Sequence, residues 1–487
     1  MLNHKKSVLL LLVFSFAIFS YAQNNTHSPY SARGFGELEP FNTAYNKSLG
    51  GVSNGIRSSR FISLSNPASL GGLSLVTFDF GFKGESGVSS TTNAKQSYFN
   101  GNFNYIVLGF PIWQKEILKD TGVKKGSSSG KNNLIKVYKT LWCSSIGLTP
   151  YSNLGSSYYK LTDTTYGQIA NFYSKTGGLS RLFVMNAVNV TKNVSLGLNA
   201  SYVFGQLRNN QAFFVQDSGV SRALYDESIH HLKGFSFDFG FQSNHRDTLV
   251  VEKTEINDKN EIIRKIKRIP LRFVFGATLT NQSQLNYTLS RLAVNKNNYY
   301  TFGTIDTLVN ENNVRGKTYL PQAFSAGFSF TYNNLWLVAF DYSGAMWGSV
   351  KQTLFTDKFS NRSQMSIGIA YRPDLDPIIN KSITGKKFGK PNLEYRFGFR
   401  TLNTGYNFKD NTGVISPLKE YGISFGIGIP KTRQMLYPRQ YIKSMVNLTA
   451  EYIHRGTTKN GMVEEHLLSL TIGITLGDVW FTKRKFN

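Results

Sequence analysis

Three arginines, Arg272, Arg396 and Arg400, fall at alternating positions inside apolar segments. A guanidinium in such a place stays charged and binds a carboxylate through two parallel hydrogen bonds, so these three are the candidate contacts for the head of an amphipathic ligand. Other chemistry is poorly supported. Of seven histidines, His4 and His27 lie near the N-terminus, His230, His231 and His245 border one pair of segments, and His454 and His466 border the last two. Glu464 and Glu465 precede His466, but no Gly-x-Ser-x-Gly nucleophile stands near it. His230 and His231 are adjacent, which on a strand sends them to opposite faces and denies one strand a two-histidine metal site. A phosphate-binding glycine loop with its lysine is also missing. No catalytic residue, metal or cofactor is expected, and the lone Cys143 cannot close an intramolecular disulfide.

The segments that carry these arginines alternate with period two. Phe235, Phe237, Phe239 and Phe241 interleave with Ser236, Asp238, Gly240 and Gln242. Leu468, Leu470, Ile472, Ile474 and Leu476 interleave with Ser469, Thr471, Gly473 and Thr475, and Val76 to Lys83 and Val194 to Gly205 follow suit. Alternation over about 9 to 11 residues is the length that crosses a bilayer at a tilt, whereas a soluble sandwich strand runs about 5 or 6. The expectation is an all-β transmembrane antiparallel barrel.

Fourteen such segments can be marked, near 73–83, 97–112, 139–150, 180–192, 194–208, 230–244, 270–280, 321–331, 335–345, 364–373, 394–403, 418–429, 444–455 and 466–476. An even number closes an antiparallel barrel with both ends in the periplasm. Short joins at Asn189 to Asn193 and Tyr332 to Leu335 read as periplasmic turns, and the long polar stretches 114–136, 209–229 and 285–320 as extracellular loops. Thr248 to Lys267 still alternates around Asn257 to Asn260, predicting a hairpin that extends the barrel above the membrane. With the apolar face toward lipid, Asp79, Lys83, Asp238, Arg272, Asp341, Arg396, Arg400 and Glu451 face the lumen, and Trp113, Trp142, Tyr202, Phe204, Trp347 and Trp480 suit interfacial girdles.

Residues 1–22 have the form of a secretion signal: Lys5 and Lys6, an apolar run from Val8 to Phe19 too short to stop transfer, and Ser20-Tyr21-Ala22 as a cleavage site. The net charge of +26, from 55 basic and 29 acidic side chains, would suggest nucleic acid in a cytoplasmic protein; export removes that partner, and lysine-rich loops are expected to meet lipopolysaccharide and outer-membrane lipid instead.

Residues 23–72 differ from the barrel expected over 73–487, being rich in glycine and serine without sustained alternation. Ser48-Leu49-Gly50-Gly51 and Phe61 to Leu70 (FISLSNPASL) resemble the N-terminal hatch of the FadL-like family of long-chain fatty-acid and hydrophobic-compound transporters, Asn66-Pro67-Ala68 standing at the family's hatch motif. Leu320-Pro321, Gly327, Trp336 to Tyr342 (WLVAFDY) with Trp347, and Arg396 to Phe399 are similar to strands of the same family. Gly147 to Tyr151, Gly177 to Gly205 and Trp480-Phe481 resemble a divergent branch. The resemblance implies about 14 strands, a lumenal hatch, and passive uptake of hydrophobic or amphipathic molecules. The alternative it leaves open is a non-transporting barrel that serves as a secretion-system adaptor or surface interaction module. Residue types alone give Asn66-Pro67 a structural role, proline fixing φ and asparagine capping a turn.

Overall fold

The computed structural model describes residues 26–478 except 121–133, 165–166, 218–219, 257–261, 297–303, 351, 356–358, 374–392, 410–414, 436–439 and 461. The signal segment and Trp480 therefore lie outside the described residues. Strands β2 (Val76–Ser90) to β17 (Glu464–Asp478) form one antiparallel sheet that closes where β17 pairs with β2.

Two wall strands are interrupted. β8 (Ile262–Thr280) pairs with the lower part of β7 (Val220–Ile256), and β9 (Ser283–Lys296) with its upper part, so β8 and β9 make one strand broken at Asn281-Gln282. β11 (Ala323–Tyr332) pairs with β8, and β10 (Thr304–Leu320) with β9, making a second strand broken at Pro321-Gln322. The wall thus has fourteen strands, and each expected segment falls on one of them. The apolar face looks out: Phe235, Phe237, Phe239, Leu468, Leu470 and Ile472 are exposed, while Asp79, Asn199, Gln242, Asp341 and Thr471 are buried inside. Hydrocarbon replaces water as the outer solvent, which inverts the soluble pattern.

The strands outrun the bilayer. Segments 209–229 and 285–320, expected as loops, are largely strand: the ends of β6 (Val194–Asp217) and β7, together with β9 and β10. They raise a one-sided wall at the extracellular end, with β4 (Leu134–Thr164) and β5 (Gly167–Asn189) beside them.

Two other expectations are corrected by topology. The join between β3 (Lys95–Asp120) and β4 emerges at the same end as the turn at Asn189 to Asn193, and so does the join between β7 and β8. The described parts of segments 114–136 and 248–267 therefore lie at the periplasmic end. The reason is parity: each antiparallel strand reverses direction, whatever the length of the join.

Residues 26–75 run down the inside of this barrel. Tyr30 donates to the Val463 carbonyl at the extracellular rim, and β1 (Glu37–Leu38) adds to β4. The four-residue helix α1 (Ala44–Lys47) lies at mid-depth, and a 3-10 turn over Pro67–Gly72 ends the descent before β2 begins. The buried core lies between this segment and the wall, where Ile62, Leu64, Leu70 and Leu73 pack on Tyr105, Val107, Phe183 and Met185.

Candidate functional site

Inward-facing glycines let the lumenal backbone approach the wall. A Cβ at Gly398 would stand 2.0 Å from the Gly50 nitrogen, one at Gly276 2.0 Å from the Asn54 carbonyl oxygen, and one at Gly197 2.3 Å from the Ala68 nitrogen. These glycines pair across strands with others of the same kind: Gly197 with Gly240, Gly276 with Gly327, and Gly368 with Gly398. The glycine-rich polar faces of the alternating segments are thus the seat of the lumenal segment.

Polar clamps complete the seat. Asp341 accepts the backbone N–H of Ser53 at 2.7 Å and that of Asn54 at 2.9 Å. Arg57 donates to Ser195 at 2.7 Å, Gln242 at 2.9 Å and Asn189 at 2.9 Å. Nearer the outside, Arg455 pairs with Glu37, Glu420 and Glu465, and Lys83 with Glu39 and Glu85. Burial alone would raise the Glu39 carboxyl, but the ammonium groups of Lys83 and Lys47 hold it below the usual range.

The residues singled out by sequence sit within this framework. The Asn66 Oδ1 accepts the Ala68 N–H at 3.0 Å, capping the 3-10 turn with Pro67 at its first position, and its Nδ2 donates to the Phe241 carbonyl at 3.0 Å. Arg396 is buried and donates to Glu394 at 3.3 Å, Ser48 at 3.1 Å and Asn447 at 2.7 Å, with its guanidinium 4.3 Å from the Tyr45 ring centre. Arg400 bridges Glu420 at 2.5 Å and Glu451 at 2.7 Å. Arg272, at the periplasmic mouth, donates to Asn244 at 2.6 Å. The structure does not gather these three around one space.

A cavity of about 270 Å³ lies elsewhere, between the upper lumenal segment and the wall beside the break at Pro321. Phe41, Tyr151, Val203, Leu320 and Trp347 supply its apolar lining, Ser236, Thr278, Ser343 and Gln364 its neutral polar lining, and Glu39, Asp238 and Asp341 bring carboxylates to its wall. Two arginines reach it, Arg181 from β5 and Arg362 from β13 (Arg362–Tyr371). Arg181 lies 4.0 Å from the Phe41 ring centre and 4.9 Å from that of Tyr151, and its Nε is buried without a partner. Among the described residues neither guanidinium makes an ion pair. Arg181 was accessible to sequence reasoning, since it shares the inward parity of its segment; parity does not tell a paired arginine from an unpaired one.

An aromatic cluster adjoins the cavity at Trp347. Phe35 meets Phe355 edge-on at 4.9 Å and Trp347 at 5.9 Å, and Trp347 meets Phe359 at 5.8 Å. Trp347 is buried inside the rim, which corrects its placement in a lipid-facing girdle. Its strand, β12 (Trp336–Ala345), stops short of it, and the following residues fold inward. Trp113 and Trp142 pair across β3 and β4 at the periplasmic rim and remain exposed.

The family model described as BamG matches residues 4–125 and 136–487. No curated protein matches the sequence. Among solved structures, the toluene transporter TbuX of Ralstonia pickettii superposes with a TM-score of 0.50 at 14% identity, over 90% of this chain and 99% of that one. The toluene transporter TodX of Pseudomonas putida gives 0.48 at 14% identity, over 91% and 99%. The likeness is one of fold, a closed antiparallel barrel of the outer membrane.

Proposed function

The chain belongs to the BamG family, and from that premise and its transporter-like barrel we propose that it takes up hydrophobic or amphipathic small molecules passively, with anionic amphiphiles such as fatty acids as the ligand class. The carrying observation is the cavity in which Arg181 and Arg362 make no ion pair among the described residues beside an apolar wall. The acyl part of a ligand would bury against Phe41, Leu320 and Trp347 while the guanidinium groups hold its carboxylate. The lumenal segment below acts as the hatch, and the ligand passes when the contacts at Ser53, Asn54 and Arg57 release. Arg396 and Arg400 serve as hatch and wall clamps in this reading, and Arg272 as a residue of the periplasmic mouth.

The test is binding of a fluorescent fatty acid to the purified barrel. Arg181→Ala and Arg362→Ala should each weaken it about tenfold, since a charge-assisted hydrogen bond is worth roughly 1.5–3 kcal/mol. A neutral alcohol of equal chain length should be indifferent to both changes. Absence of saturable binding by the wild type, or equal loss for acid and alcohol, overturns the assignment.

A second reading, an adaptor that docks a periplasmic protein, draws on the long periplasmic hairpins. The β7–β8 ladder runs nine pairs from Thr248–Pro270 to Ile256–Ile262, about 30 Å, with no third strand beside it among the described residues. Arg246 stands opposite Arg272, and on the β3–β4 hairpin Lys115 stands opposite Lys139. Like charges directly opposed destabilise a ribbon, and an acidic partner strand along the open edge would offset both the repulsion and the unpaired backbone. Replacing residues 249–269 by Asn-Gly separates the readings: uptake persists if the lumen is the working part, and an acidic partner is lost if the ribbon is.

A further inference from the structure

We infer that His454, Glu464 and His466 form a binding site for a divalent transition metal ion of the zinc type at the outer extracellular rim. The three donors come from β16 (Gln440–Arg455) and β17, on the lipid-facing side just above Leu468 and Leu470. His454 and His466 are direct cross-strand partners, and Glu464 lies two residues from His466 on the same face. The ligand atoms all lie within 4.8 Å of one another: His454 Nε2 is 2.9 Å from the Glu464 oxygen, and His466 Nε2 is 3.7 Å from it. A tetrahedral ion with bonds near 2.0–2.1 Å needs its ligands about 3.3 Å apart, so small side-chain rotations suffice.

Tyr452 makes the site more than a surface ion pair. Its hydroxyl hydrogen-bonds His466 Nδ1 at 2.7 Å, which orients the ring and leaves Nε2 facing Glu464. A ligating histidine commonly has its second nitrogen held in this way. Two imidazoles and a carboxylate suit zinc over calcium or magnesium, which prefer all-oxygen shells. All three side chains are partly solvent-exposed, so a fourth position stays open to water or to a carboxylate or phosphate oxygen from outside. The bound ion would staple β16 to β17 one strand away from the seam where the barrel closes. This site is independent of the lumenal cavity and of the function proposed for it.

The experiment is calorimetric titration of the purified full-length mature barrel, in metal-free buffer and mild detergent, with zinc chloride alone, followed by cobalt absorption spectroscopy. One zinc per chain and the visible bands of four-coordinate cobalt are expected. His454→Ala with His466→Ala should lower affinity at least 100-fold, Glu464→Gln about tenfold, and Tyr452→Phe, a positioning change, several-fold. Heat-modifiable migration on gels shows that each variant still folds. No binding by the wild type reduces the cluster to a hydrogen-bonded ion pair and overturns the inference, as does binding unchanged in the double-histidine variant.

Discussion

Asp341 holds Asn54 twice, accepting its backbone N–H at 2.9 Å and its side-chain amide at 3.0 Å through the same carboxylate oxygen. The neighbouring Gly327 leaves no room for a side chain of its own: a Cβ there would stand 1.8 Å from the other Asp341 oxygen. Wall strand and lumenal segment are fitted to each other at this point by charge and by the absence of bulk together.

Asp341→Ala strands two buried backbone N–H groups and should release the lumenal segment around Ser53 and Asn54. Each lost hydrogen bond to a charged group is worth roughly 1.5–3 kcal/mol. The expected outcome is a larger single-channel conductance in planar bilayers and sensitivity of cells to bulky antibiotics; a conductance equal to wild type would show that the clamp is redundant.

Gly398→Val tests the glycine seat without touching a charge. The new side chain would collide with the Gly50 backbone, so the lumenal segment should be displaced while the barrel still closes. Gly101→Ala is the control, because no atom lies within 4 Å of a Cβ there. Limited proteolysis of residues 40–60 should accelerate in the first variant only.

Arg396→Ala should destabilise the protein by about 3 kcal/mol, at the low end for breaking a buried ion pair because Arg372 still pairs with Glu394 at 3.1 Å. Denaturant midpoints measure it. In contrast with Arg181→Ala, the loss should appear in stability before it appears in ligand affinity, and the reverse order would return Arg396 to the list of ligand contacts.

Acid should loosen the upper lumenal segment. The Glu39 carboxyl is held below its ordinary value, so its contribution is complete above that value and disappears as the pH falls through the lowered one. A spin label at Asn42→Cys, with Cys143→Ser, should report no change between pH 7 and 5 and a mobile component below about pH 4. Glu39→Gln should show that component already at pH 7; a flat profile in both proteins would remove Glu39 from the clamp.

Much of the wall was legible because lipid outside and polar groups inside impose period two. Phe235 to Phe241 and Leu468 to Leu476 declare both element and orientation. β9 and β10 were not legible, since water bathes them beyond the bilayer and residues such as Asn310, Glu311 and Asn312 carry no alternation. The end at which Lys115 and Lys139 emerge follows from counting reversals, and the length of the polar join is a misleading guide. Arg272, Arg396 and Arg400 were recognisable as inward-facing. Which inward arginine finds a carboxylate depends on strands far apart in sequence, as with Arg400 and Glu451, so Arg181 and Arg362, without an ion pair among the described residues, emerged only in three dimensions.

Among the described residues the lumenal segment is covalently joined to the wall at its lower end alone, where Leu73 leads into β2, and the contacts above that point are non-covalent. It is a cork on a string tied below. Withdrawal toward the periplasm needs only rotation about residues 73–75, whereas expulsion outward would drag β2 from its pairing with β17 and open the barrel. Any displacement of the whole segment that leaves the barrel closed is therefore toward the periplasm.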